Sequence, residues 1–132
     1  MLRDIGAVIA GLAVSIIIIM AIQMVGHALW PPPEGLDWND EEVIRTYTSQ
    51  LPFLALLFPI VSYFLGAFAG PFVACRIGTA KPVLFVGIIG IVLLAFTVAN
   101  LIQIPHPAWF SVLAVAAILV GGWLALQLAA KR

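Results

Sequence analysis

Four long apolar runs constrain this chain of 132 residues more than any other feature. They extend over about 5–30, 51–75, 82–104 and 108–130, and each is at least as long as the roughly 20 residues that a transmembrane helix needs. Stretches such as "AVSIIIIMAI" and "VGIIGIVLLAF" are apolar on every side, whereas the strands of a membrane barrel alternate polar and apolar residues. The sequence therefore predicts an all-α membrane protein, a single domain (1–132) of four transmembrane helices in an antiparallel bundle.

The composition places most of the surface of this chain in lipid. Hydrophobic residues make up 64% of it and charged residues 9%, and the mean hydropathy is +1.17, which exceeds what a soluble domain of this size can bury. We expect the lipid bilayer to be the main partner. The sequence has no basic aromatic patch for nucleic acid, so we expect no nucleic-acid partner.

Basic residues predict the orientation of the four spans. All but Arg45 flank the runs on one side of the membrane: Arg3, Arg76, Lys81, Lys131 and Arg132. By the positive-inside rule, both termini then face the cytoplasm and residues 31–50, which we call the outer loop, face outward. Five of the six acidic residues lie in this loop: Glu34, Asp37, Asp40, Glu41 and Glu42. The chain is predicted to be basic inside and acidic outside.

The first run is interpreted as a retained span rather than a cleaved signal peptide. Its apolar stretch is far longer than the roughly 7–15 residues of a signal-peptide core. In addition, no convincing small-x-small cleavage site precedes "WPPPEG".

The outer loop is predicted to contain a short interfacial helix. Successive prolines in "WPPPEG" end the first span near Trp30, because they lack the N–H donor and clash with the preceding turn. "NDEE" then matches a capping box, with Asn39 as N-cap and Glu42 at the third helical position. The helix, about 40–50, is expected to lie along the membrane surface on its apolar residues, which are Val43, Ile44, Tyr47 and Leu51.

Small residues predict how the second helix packs. "GAFAG" places Gly66 and Gly70 four residues apart, with Ala74 one turn further, and helices in lipid approach closely where such residues align. A weaker row on the first helix begins at Gly6. The row on the second helix serves either packing within one bundle or a dimer face, and the sequence leaves both open.

Polar side chains near the outer ends of the first and third helices lie at one depth. Gln23 and His27 share a face of the first helix because four residues separate them. Asn100 and Gln103, three apart, share a face of the third. Gln23 and Asn100 each lie 18 residues into their runs, about 27 Å from the cytoplasmic edge. The two polar stripes are expected to reach the outer interface together.

This match in depth predicts a candidate binding pocket that opens outward. Its members are Gln23, His27, Asn100, Gln103 and His106, with Trp30, Trp109, Glu34 and Asp37 at the rim. Polar side chains in a bilayer are costly unless paired, which makes such a cluster a candidate functional site. The alternative is structural: the amides and histidines hydrogen-bond between helices, and the tryptophans belong to the aromatic belt at the headgroups.

We expect no metal and no cofactor at this end of the bundle. His27 and His106 come from distant parts of the chain and do not match a local zinc motif. Axial haem ligands within a bundle would lie deeper, where the macrocycle is shielded from water. A proton-sensing role for the histidines stays open, because histidine titrates near neutral pH.

Enzymatic activity is not expected. Cys75 is the only cysteine, which excludes an intramolecular disulfide and the paired thiols of a thiol-oxidising enzyme. The sequence has no nucleophile with a base and no phosphate-binding glycine loop. An ion-coupled transporter would be expected to carry a charged residue within a span, but the polar groups nearest mid-membrane are Ser15, Tyr63 and Thr97.

Two outer motifs, "GHALWPPPEGLDWND" and "NLIQIPHPAWF", together resemble a group of small four-span bacterial inner-membrane proteins of unknown function. The resemblance implies that the recurring positions are His27, Pro31, Pro33, Gly35 and Asp37 in the first motif and Asn100, Pro105, His106, Pro107 and Trp109 in the second. It also implies a bacterial inner membrane as the location. It brings no activity, substrate or cofactor with it.

The sequence thus favours a non-enzymatic accessory or structural membrane protein whose acidic outer loop meets a protein partner or a lipid headgroup. The alternative is a small-molecule or ion binder or transporter that uses the outward pocket. Association with a second copy of the chain is compatible with both.

Overall fold

Five helices form the secondary structure of the described residues, which are 2–31, 34–35, 37, 39–103 and 108–130 of this computed structural model. They are α1 (Leu2–Leu29), α2 (Glu41–Gln50), α3 (Phe53–Ile77), α4 (Pro82–Gln103) and α5 (Ala108–Ala130). All but α2 are long and apolar enough to cross a membrane. The predicted all-α bundle of four membrane helices is confirmed, and a short helix is present in the outer loop.

The helix ends differ from the predicted spans by up to three residues. α1 begins at Leu2 and so includes the polar turn that precedes the apolar run. α3 is displaced by two residues at its start, because Pro52 has an extended backbone (φ −66°, ψ 158°) ahead of the first turn. At its other end Gly78 is extended, and its N–H still donates to the Ala74 carbonyl at 2.8 Å. Hydropathy marks the apolar part of a helix and not the polar turns that continue it.

α3 lies at the centre of the bundle. It packs along its length against α1 on one side and α5 on the other, and it also contacts α4. α4 packs against α5 and α3, whereas α1 and α4 approach each other over only a short stretch. This arrangement leaves a groove between α1 and α4.

The tight contact between α1 and α3 depends on small residues. A Cβ added to Gly70 would overlap the Ser15 hydroxyl, and one added to Gly66 would lie 2.8 Å from Cγ1 of Ile19. Ala74, the third member of the predicted row, is fully buried. Ser15 donates a hydrogen bond of 2.7 Å to the Gly66 carbonyl. In this chain the row of Gly66, Gly70 and Ala74 therefore serves packing within one bundle, with backbones in close approach.

The packing face of α1 is offset from the row predicted for it. Gly6 is exposed, and a Cβ added there would meet nothing within 4 Å. The buried residues of the helix are instead Ala7, Gly11, Ser15 and Gly26. The reason is that α1 is apolar on every side, so its sequence does not mark which face meets a neighbour.

The cap of α2 also differs from the prediction by one residue. Asp40, not Asn39, is the N-cap: its Oδ1 accepts the amide protons of Glu42 at 3.0 Å and Val43 at 3.3 Å. The backbone N–H of Asn39 donates to Oδ1 of Asp37 at 3.0 Å, which forms a local turn ahead of the helix. The first helical residue is Glu41.

At the opposite end, the first turn of α1 holds the connection between α3 and α4. Oδ1 of Asp4 accepts the amide protons of Thr79 at 2.6 Å and Ala80 at 3.2 Å, and the Thr79 hydroxyl donates to it at 3.1 Å. Nε of Arg3 donates to the Ile77 carbonyl at 2.6 Å. We call this end, which carries Arg3, Arg76 and Lys81, the basic end of the bundle.

Candidate functional site

A polar cluster connects α1, α3 and α4 near the outer loop. Nε2 of Gln23 donates to the Ser62 hydroxyl at 3.2 Å. The Ser62 hydroxyl in turn donates to the Pro59 carbonyl at 2.6 Å. The amides of Gln23 and Asn100 lie near the Tyr63 hydroxyl. A hydrogen bond thus joins Gln23 of α1 to α3, and the common depth predicted for Gln23 and Asn100 stays a prediction.

The backbone of α3 explains how Ser62 takes its place. Pro59 lies inside this helix, and Ser62 follows it by three residues, so the hydroxyl bonds back onto the preceding turn. That bond uses the hydroxyl hydrogen and leaves the oxygen to accept from Gln23. Ser62 is 0% exposed and Tyr63 8%. Within the described part of the chain, no buried side-chain nitrogen or oxygen lacks a hydrogen-bond partner.

A cluster whose members satisfy one another is the arrangement expected of hydrogen bonding between helices. In lipid, such bonds hold helices together because an unpaired polar group has no water to bind. The geometry of Gln23 and Ser62 therefore supports the structural alternative to a ligand pocket. An outward-opening binding pocket stays a prediction.

The remaining predicted pocket residues are spread over the outer end of the bundle. His27 is exposed on α1, one turn beyond Gln23, and Asn100 is exposed on α4. Glu34 and Asp37 are exposed in the outer loop, where Gly35 has a positive φ of 77° that favours glycine. The side chain of Gln103 and all of His106 lie outside the described residues.

Two tryptophans pack against phenylalanines of α3. Trp30 meets Phe58 edge-on, with ring centroids 5.6 Å apart. Trp109 stacks on Phe53 at 5.3 Å and remains 38% exposed. Aromatic rings in this half-exposed setting are typical of the membrane interface. These two contacts join the first turns of α3 to the end of α1 and to the start of α5.

Ser62 and Tyr63 lie outside the site predicted from the sequence. Both interrupt the apolar run of α3, and Ser62 follows Pro59 at a distance that favours bonding to its carbonyl. These were the available signals. The common depth concerns only α1 and α4, which run in the same direction, whereas α3 runs in the opposite direction and contacts both.

The outer loop presents carboxylates around one buried anchor. Ile44 is 3% exposed, whereas all five acidic residues of the loop are exposed. Burial raises the pKa of the Tyr47 phenol. Arg45 forms an ion pair of 3.5 Å with Glu41, one turn before it on α2. Among the described residues, no group of three or more histidine, cysteine or acidic side chains is placed to hold a metal ion.

The fold and this site define an integral membrane protein of four helical spans. No protein-family model, no curated protein and no solved structure matches this chain. The resemblance of its two outer motifs to small four-span proteins of bacterial inner membranes stays a prediction.

Proposed function

We propose that this chain is a non-catalytic accessory protein of the bacterial inner membrane, which docks a positively charged partner segment on its acidic outer loop. The observation that carries the proposal is the arrangement of α2: Ile44 is buried, while the carboxylates around it are exposed. The loop has five carboxylates and one arginine. A surface with one sign of charge steers an oppositely charged partner and selects against others.

The ion pair between Arg45 and Glu41 does little to neutralise this surface. Both side chains are more than 60% exposed, at 64% and 73%, and an exposed pair of this kind contributes at most about 1 kcal/mol. Glu34, Asp37 and Glu42 are exposed as well. The partner is therefore expected to be cationic, and an anionic headgroup would be repelled.

The proposal includes an orientation of the bundle in the membrane, which is based on the distribution of basic residues. Arg3, Arg76 and Lys81 lie at the basic end, and the positive-inside rule places that end in the cytoplasm. The antiparallel spans then put the outer loop on the opposite side of the membrane. The partner surface would lie in the periplasm or on a neighbouring membrane protein.

Site-specific photo-crosslinking tests this function. A photoreactive amino acid at Thr46, which is exposed on α2, should give one defined adduct in the native membrane. Neutralising Glu34→Gln, Asp37→Asn and Glu42→Gln together should abolish the adduct while leaving the Asp40 cap in place. The same probe at Leu113, exposed on α5, is the control. An adduct at Thr46 that survives neutralisation would contradict the proposal.

The second candidate is a binder or transporter of a small molecule or ion at the outer polar cluster. The observation that favours it is Asn100, which is exposed at membrane depth while neighbouring Tyr63. Native mass spectrometry of the gently solubilised protein, beside Asn100→Ala and His106→Ala, distinguishes the two functions. A bound mass that both variants lose would favour this candidate, and its absence from all three would exclude it.

A further inference from the structure

A groove of about 640 Å³ lies between α1 and α4, near the basic end of the bundle. Its walls are apolar: Ile5, Val8 and Ile9 from α1, and Leu84, Phe85 and Ile88 from α4. The groove exists because these two helices barely contact each other, while each packs against α3. It is distant from the acidic outer loop and from the polar cluster at Gln23.

The shape of the groove suits an elongated apolar group. Phe85, 0% exposed, closes its floor, whereas Ile9 and Leu84 on the two walls are 63% and 49% exposed. From Ile5 to Ile9 the groove follows one turn of helix, about 6 Å along the membrane normal. It therefore extends from the interface into the apolar region, as the upper part of a lipid chain does.

Basic residues that adjoin the groove in the sequence indicate the charge of a headgroup. Arg3 precedes Asp4 at the mouth on the α1 side, and Lys81 directly precedes α4. Both basic side chains are exposed. The Asp4 carboxylate also lies at the mouth, but it accepts hydrogen bonds from Thr79 and Ala80 and is thus turned toward the connection between α3 and α4.

Arg3 is held in position for this role. Its Nε donates to the Ile77 carbonyl at 2.6 Å, so the guanidinium is fixed by one nitrogen while its terminal amino groups remain available for an anion. A guanidinium binds phosphate oxygens with two parallel hydrogen bonds. Basic pockets between transmembrane helices on the cytoplasmic side are suited to anionic headgroups.

We propose that this groove binds one acyl chain of an anionic phospholipid from the surrounding bilayer, with the phosphate between Arg3 and Lys81. A helix from a second copy is disfavoured as the occupant. In a symmetric pair of parallel subunits, the basic end of one copy would meet the basic end of the other. A phospholipid instead brings a negative charge to the two cations and an apolar chain to the groove.

Lipid titration of the full chain tests the proposal. Delipidated protein in detergent is titrated with phosphatidylglycerol or phosphatidylcholine of equal chain length, and bound lipid is counted by native mass spectrometry. We expect one phosphatidylglycerol to bind with roughly a tenfold preference over phosphatidylcholine, given the attraction of two basic residues for an anionic lipid. Equal binding of the two lipids would overturn the proposal.

Substitutions distinguish recognition of the lipid headgroup from binding of the acyl chain. Lys81→Gln and the double variant Arg3→Gln/Lys81→Gln should lose the preference stepwise. Ile9→Trp should fill the groove and abolish binding of both lipids, whereas Ile17→Trp, on the exposed surface of the same helix away from the groove, should bind like the wild type. Retained binding in Ile9→Trp, or a dimer that this variant dissociates, would overturn the proposal. Lys81→Gln neutralises an exposed side chain, so its result holds even if Arg3→Gln weakens the fold.

Discussion

Asp4 and Thr79, 75 positions apart in the chain, are joined by a hydrogen bond of 2.6 Å from the Thr79 amide to the Asp4 carboxylate. The same carboxylate accepts the Thr79 hydroxyl and the Ala80 amide. One side chain of α1 thus satisfies two backbone donors of the connection between α3 and α4. It joins the first turn of α1 to the connection that leads into α4.

Removal of this carboxylate should open the basic end locally. Cys75 is a native probe for that opening, because its thiol is fully buried and lies 3.9 Å from the Pro82 carbonyl. We expect a maleimide to label Cys75 faster in Asp4→Ala than in the wild type. Asp4→Asn, which keeps one acceptor oxygen, should be intermediate, and Glu34→Ala should not differ from the wild type. Equal labelling rates in all four proteins would mean that the tie does not hold the connection.

A methyl group at Gly70 should destabilise the bundle. A Cβ there would overlap the Ser15 hydroxyl, and overpacking of this kind lowers the free energy of unfolding by about 1–3 kcal/mol. Gly87→Ala is the matched control on α4, since a Cβ at Gly87 would meet nothing within 4 Å. Gly87→Ala should leave the free energy of unfolding unchanged or raise it by roughly 0.5–1 kcal/mol. Equilibrium unfolding in mixed micelles measures both, and the reverse order of the two variants would disprove the packing described for α1 and α3.

Ser15→Ala tests the hydrogen bond within the same contact. The hydroxyl donates to the Gly66 carbonyl at 2.7 Å and is 0% exposed. Hydrogen bonds between membrane helices contribute on average about 0.6 kcal/mol and at most about 1.7 kcal/mol, so we expect a loss within that range. Ser111→Ala on α5, whose side chain is half-buried, is the comparison. If Ser15→Ala were as stable as Ser111→Ala, packing alone would stabilise the contact between α1 and α3.

Asp40→Ala should loosen α2 without affecting the bundle. Its carboxylate caps the amides of Glu42 and Val43, and loss of an N-cap costs about 1 kcal/mol of helix stability. Hydrogen exchange at the amides of α2 should therefore be faster. Asn39→Ala retains the backbone donor that bonds to Asp37 and should leave exchange unchanged. If Asn39→Ala were the more damaging change, the N-cap would be Asn39, as the capping-box pattern predicted.

The spans could be predicted from the sequence because they depend on composition, which is local. Their packing could not be predicted equally well for each helix. α3 marks its packing face with Gly66 and Gly70 among larger residues, whereas α1 carries isoleucine and other apolar residues on every side. The face that α1 uses, through Gly11 and Ser15, is decided by the complementary surface of α3.

In the candidate site, too, features that depend on local sequence could be predicted, and contacts between distant residues could not. The common depth of Gln23 and Asn100 follows from counting residues along helices. Ser62 joins the cluster by accepting a hydrogen bond from Gln23, in a side-chain rotamer that also lets it donate to the Pro59 carbonyl. Asp4 reaches across to a connection 75 positions away, and nothing in its neighbouring sequence indicates that contact.

The orientation of the bundle is the claim on which the docking role of the outer loop rests, and a labelling experiment measures it directly. In a Cys75→Ala background, Glu34→Cys and Thr79→Cys each place one thiol at an exposed position at opposite ends of the molecule. A membrane-impermeant maleimide added to spheroplasts, whose inner membrane is intact, should label Glu34→Cys at once and Thr79→Cys only after lysis. Labelling of Thr79→Cys before lysis, with Glu34→Cys protected, would contradict the proposed orientation and the function built on it.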